Sequence, residues 1–136
     1  MTADTRMLSG IIIITVPSVV YGGYFLLQVL SGKQEKLELT PFQKAMFRAG
    51  HAHAGILILL SLIALLYVDE TALSQTWKWI TRVSLPLSAM LISGGFFGAA
   101  AGKQVNKPGK LIMFLYIGIL SLVTGLITLG IGLVAA

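Results

Sequence analysis

The chain contains no cysteine and little charge: ten Lys or Arg and five Asp or Glu in 136 residues. Without thiols there is no disulfide scaffold, cysteinyl iron–sulfur cluster, thiolate zinc site or covalently attached c-type heme, because each is built on cysteine sulfur. Redox compartment is equally illegible from cysteine usage. Charged types make up about a quarter of an ordinary soluble chain. Here they are 11%, against 56% hydrophobic residues and a mean hydropathy of +0.88. So few charges cannot clothe a soluble domain, and the composition is that of an integral membrane protein. A net charge of +5 superficially suits nucleic acid. The cations, however, are dispersed over short loops between apolar runs, so they read as membrane-surface charges, with the lipid bilayer as partner and no nucleic acid.

Residues 7–31 are uncharged over 25 positions, more than the roughly 20 that a helix needs to cross a hydrocarbon core. Arg6 ahead of this run imitates the start of a signal peptide, but the apolar stretch is too long for one and is expected to be a retained span. The second span, residues 41–68, opens on Thr40 as N-cap, Pro41 at the first helical position and Gln43 closing a capping box. The third, 77–101, follows the polar turn of Asp69, Glu70 and Thr71 and is anchored at the interface by Trp77, Lys78, Trp79 and Arg82. The fourth, 110–134, follows the breaker Asn106, Lys107, Pro108 and Gly109. Connections of about 8 to 10 residues predict an all-α, four-helix up-down membrane bundle forming one domain over residues 1–136.

Lipid tails do not drive apolar helices together, so small residues must supply the packing surfaces. Gly94, Gly98 and Gly102 repeat along the third span. Gly118, Ser121, Gly125, Thr128 and Gly132 form a heptad-like seam on the fourth. Pro17 and Pro86 are expected to kink their helices. Seven Lys or Arg (Lys33, Lys36, Lys44, Arg48, Lys103, Lys107, Lys110) occupy the first and third loops, against three (Arg6, Lys78, Arg82) at the other end. That count favours both termini outside, provided none of the cations serves a bound anion.

All five acids, Asp4, Glu35, Glu38, Asp69 and Glu70, lie in tails or loops, which argues against carboxylate-driven transport through the core. No strand precedes the Gly-rich segments and no Gly-Lys-Ser/Thr follows, so they are not phosphate loops. The intramembrane Ser and Thr lack an acid–base constellation and read as packing groups. What remains is GHAHAG, residues 50–55, with the only two histidines of the chain, His51 and His53. Ionisable residues at that depth are costly enough to mark function by default; the alternative is an imidazole hydrogen bonded to a neighbouring helix. On a regular helix the two rings point about 200° apart, so they cannot chelate one metal and must address two surroundings. Gly50, Ala52, Ala54 and Gly55 keep the adjacent surface slim enough for a flat group or another backbone.

A b-type heme meets these demands: it is planar, apolar, held by axial imidazoles and carries two propionates that need cations. Arg48 and Lys44, one and two turns before His51, can supply them, or can simply anchor the helix at the interface. The segment GHAHAGILILLSLI, residues 50–63, resembles the histidine-bearing helix of the catalytic subunit of heme–copper oxidases, particularly the b-heme members and nitric oxide reductases. In that family a G-H-x-H-[S/A]-G-x-L pattern lies on the second helix of the last of three quasi-equivalent four-helix units, and its histidines ligate two different hemes. The resemblance implies that His51 and His53 are iron ligands for separate hemes. The family's copper ligands come from further histidines, which this chain lacks, so an oxidoreductase with a copper site is not implied.

One copy also lacks a histidine facing the first across a single heme. A closed ring of copies would bring His51 of one subunit and His53 of the next to each interface. A homotrimer reproduces the twelve-helix plan that the resemblance implies, with cofactor contacts from Lys44, Arg48, Gly50 and Gly55. The family's topology puts the histidine end of the second helix outside, opposite to the charge count, and orientation stays open. The expected function is electron transfer or handling of a diatomic gas in a bacterial cell membrane, with an unknown redox partner. Two rival classes remain: a small oligomeric proton or metal channel or carrier, and a non-catalytic structural subunit.

Overall fold

A computed structural model describes residues 1–34 and 37–136. The loop residues Glu35 and Lys36, counted above among the acids and cations, lie outside the described residues. Four helices account for the fold: α1 (Ala3–Leu30), α2 (Pro41–Tyr67), α3 (Gln75–Ala99) and α4 (Ile112–Val134), with a short 3-10 turn Val68–Glu70 after α2. All four are long and apolar enough to cross a membrane. Helix α1 starts earlier than the uncharged run predicts, because the Thr2 hydroxyl caps it by accepting from the Thr5 N–H. Helix α3 stops at Ala99, two residues short of the expected end. Gly102 lies beyond it with φ +125°, a conformation that suits glycine and not a helix. Pro17 and Pro86 sit inside α1 and α3 without ending either helix.

Neighbouring helices run antiparallel, each packing chiefly on its neighbour in sequence, from α1 to α2, α2 to α3 and α3 to α4. Large apolar side chains point outward, among them Ile14, Tyr21, Met90 and Leu120. This inverts the soluble pattern and suits a hydrocarbon surround.

The α3–α4 contact is the glycine seam expected on α4. Methyl carbons placed on Gly118, Gly125 and Gly132 would lie 2.7 Å from Ile92 Cγ1, 2.6 Å from Leu85 Cδ1 and 2.6 Å from Leu73 Cγ. Between them the Ser121 hydroxyl donates to the Ser84 carbonyl at 2.8 Å. The matching repeat on α3 differs from expectation. Gly94 meets nothing and Gly102 is outside the helix, whereas Gly95, which had not been singled out, lies against the Leu115 backbone. Gly98 packs as expected, with a methyl there 3.1 Å from Leu111 Cβ, so the close approach on α3 runs through Gly95 and Gly98, and Gly94, about 100° round the helix from Gly95, misses it.

The start of α2 is tied to the end of α3. Thr40 and Gln43 make the expected capping box, with Gln43 N–H donating to Thr40 Oγ1 and Thr40 N–H donating to Gln43 Oε1, each at 3.1 Å. Gln43 is 1% exposed, and its Nε2 also donates to the Ala100 and Gly102 carbonyls at 2.9 Å. Substitution Gln43→Leu therefore removes half the cap and strands two carbonyls. Thermal unfolding in detergent should show a loss of roughly 2–4 kcal/mol; a loss below about 0.5 kcal/mol would mean that water replaces the amide.

Opposite this end, Arg82 departs from its expected role as an interface anchor. It is 2% exposed. Its Nη2 donates to Asp69 Oδ1 at 2.7 Å and its Nε to the Thr5 hydroxyl at 3.0 Å. Thr5 in turn donates to Asp69 Oδ1 at 2.9 Å, and Thr2 N–H to Asp69 Oδ2 at 2.6 Å. Neutralised in this way, Arg82 no longer weighs in the loop-charge count, which leaves Arg6 and Lys78 at that end. The first turn of α1 is thus bound to the α2–α3 turn.

Candidate functional site

Helix α2 lies between α1 and α3, and its sequence sorts into two faces. Gln43, Gly50, Leu57, Ser61, Ala64 and Leu65 are buried. Positions 44, 45, 48, 52, 56, 59, 63 and 66 are exposed and follow one another at steps near 3.5 residues. The two histidines fall at opposite edges of this exposed face, as their spacing requires.

His53 is the exposed one. Its Nδ1 lies 2.8 Å from the Ala49 carbonyl of the preceding turn. A carbonyl only accepts, so Nδ1 carries the proton of this hydrogen bond and Nε2 is the ring nitrogen left over for another partner. Phe96 of α3 holds the ring from one side, with centroids 4.9 Å apart and planes at 35°. A backbone carbonyl thus orients the His53 ring and an aromatic ring supports it, which leaves Nε2 as the available donor. On this side a heme would find one imidazole donor, Nε2 of His53.

His51 is half-buried and faces α1. A methyl carbon placed on Gly23 would lie 2.9 Å from its Nε2 and 3.0 Å from Cε1, and one on Gly22 would lie 3.9 Å from Nδ1. The Gly22–Gly23 pair is what admits the ring, a role not assigned from the sequence although the doublet itself was a visible signal. With α1 in this position the nitrogen that would bind iron abuts backbone, and His51 does not fit an axial position. Helix α1 has no buried residue between Ile12 and Val29, so this half of it is held far less firmly than its first turn.

Lys44 and Arg48 are exposed. On the helix they lie within about 20° and 60° of the direction of His51, and not on the side of His53. Gly50 is filled from within the chain: a methyl there would lie 3.1 Å from Phe96 Cβ and from Phe97 Cε2. It sets the α2–α3 distance, and so places Phe96 beside His53. Gly55 has open space around it. Among the described residues no three His, Asp or Glu side chains gather to hold a metal ion.

Comparison with protein-family models, with curated proteins and with solved structures gives no match for this chain.

Proposed function

We propose that this chain is a b-type heme protein of a bacterial cell membrane, acting in electron transfer or in the handling of O2 or NO. The observation that carries the reading is His53: an imidazole at membrane depth, exposed, with Nδ1–H committed to the Ala49 carbonyl and Nε2 unencumbered. Iron bound there would supply a one-electron couple, and an open sixth position would add affinity for a diatomic gas.

A heme between copies of a homotrimer would be held by His53 of one copy and, once freed from α1, by His51 of an adjoining copy. The copy that supplies His51 also brings Lys44 and Arg48 on the same side of α2, where they offset the propionate charge. Recruitment of His51 requires the loosely packed half of α1 to leave it. Should α1 stay in place, His53 alone would hold the group.

Absorption spectroscopy of the detergent-extracted protein tests the reading directly. A Soret band is expected, with α and β bands sharpening on reduction if both histidines bind. A colourless preparation that remains colourless after heme supplementation overturns it and leaves the channel and structural classes.

A further inference from the structure

The two ends of the bundle carry very different charge. Six exposed cations, Lys33, Lys44, Arg48, Lys103, Lys107 and Lys110, lie where α1 and α3 end and α2 and α4 begin, and Glu38 is the one acid described there. At the other end Arg6, Lys78 and Arg82 are matched by three acids, Asp4, Asp69 and Glu70. Glu35 and Lys36 carry opposite signs and leave this balance unchanged. The net side-chain charge of +5 therefore belongs to one end of the molecule. Pairing separates the ends further. The ion pairs among the described residues both use Asp69, at the balanced end, and none involves the six cations. Like charges gathered without counter-charges repel one another, a cost that an external anion removes.

We infer that this basic end docks on the headgroups of anionic phospholipid, with lipid phosphate as the counter-charge. Depth selects lipid over an acidic protein or a nucleic acid. Helix α2 has 27 residues, about 40 Å at 1.5 Å each, against a hydrocarbon core of roughly 30 Å. With the surplus shared between its ends, Lys44 stands near the core boundary and Arg48, one turn further along, about 5 Å inside it. Both side chains are exposed and long enough to snorkel back to the phosphate level. A soluble polyanion would have to part the headgroups to meet them, whereas lipid phosphate already lies there. Lys103, Lys107 and Lys110, in the loop ahead of α4, continue the patch outward toward water. Each cation held near an anionic leaflet strengthens the attraction about fivefold. The inference is independent of heme, because these three loop lysines take no part in the propionate contacts proposed above.

The test titrates heme-free, full-length protein in a neutral detergent with dioctanoyl phosphatidylglycerol and follows the thermal midpoint. Dioctanoyl phosphatidylcholine, with the same chains and no net charge, is the second arm. Phosphatidylglycerol should bind at least about fivefold more tightly, and salt at about 1 M should erase the difference. Lys103→Gln, Lys107→Gln and Lys110→Gln combined should weaken phosphatidylglycerol binding at least about tenfold and leave the choline lipid unaffected. Arg6→Gln, at the balanced end, should change neither. Equal affinity for the two lipids, or a phosphatidylglycerol preference that survives the triple replacement, overturns the inference. Salt-sensitive retention on immobilised polyglutamate, with no preference between the lipids, overturns it too and assigns the surface to an acidic protein.

Discussion

His53→Ala is expected to eliminate the Soret band at stoichiometric heme, whereas His51→Ala retains it. The two substitutions remove the same side chain two residues apart, so the contrast isolates geometry. His53 presents Nε2 outward, oriented by Ala49 and backed by Phe96. Losing an axial ligand should weaken heme binding by at least about a hundredfold, since even outer-shell partners of metal ligands are worth about 10–100-fold. His51 instead lies against Gly22 and Gly23. Replacing it removes at most the second ligand, so heme is retained, and a shift from a low-spin to a high-spin spectrum is expected only if α1 has left His51. A band that survives His53→Ala but vanishes in His51→Ala would show that α1 swings away from Gly22–Gly23 contact and that His51 is the primary ligand, reversing the assignment. Neither substitution should unfold the chain, because neither ring belongs to the buried stripe of α2.

Arg82→Ala is expected to destabilise the fold by about 3–5 kcal/mol, the scale for breaking one side of a buried ion pair. Arg82 is 2% exposed, and without it the Asp69 carboxylate keeps only the Thr2 and Thr5 donors and the distant amino terminus. Burial by itself would raise the Asp69 carboxyl. The hydrogen bond from Arg82 leads the opposing contributions, followed by those from Thr2 and Thr5, and together they bring it from 3.8 down to about 2. A carboxyl lowered on folding contributes stability that is complete above its unfolded value and is lost as pH falls through the folded one. Thermal scans should therefore show steep acid destabilisation from pH 3.8 down to about 2, flattened in Asp69→Asn. The double replacement Arg82→Met with Asp69→Leu should recover most of the stability, because removing both charges also removes their desolvation cost. A loss below about 1 kcal/mol for Arg82→Ala would place the guanidinium in contact with lipid headgroups or water after all.

Much of this architecture was legible in the order of residues. Four uncharged runs, a Thr-Pro-x-Gln helix start and the sevenfold glycine register of α4 each follow from local rules that need no neighbour: hydrocarbon thickness, backbone donors to be capped, and close approach through missing side chains. The 200° divergence of His51 and His53 belongs to the same class, since helix pitch alone imposes it. Other residues are defined by partners distant in sequence. Nothing beside Arg82 separates a snorkelling cation from a buried one; the distinction is Asp69, thirteen positions away, and Thr5, seventy-seven away. Likewise Gly95, Gly22 and Gly23 acquire meaning only from what packs on them.

The sequence by itself determined that the chain is helical and apolar, where α2 begins, and that its two imidazoles look in different directions, because periodicity, capping and hydropathy are properties of a segment. Only the tertiary structure decided that α1 covers His51 and leaves His53 open and that Arg82 is neutralised by Asp69. Burial and pairing depend on which helix lies alongside, and no segment carries that information alone.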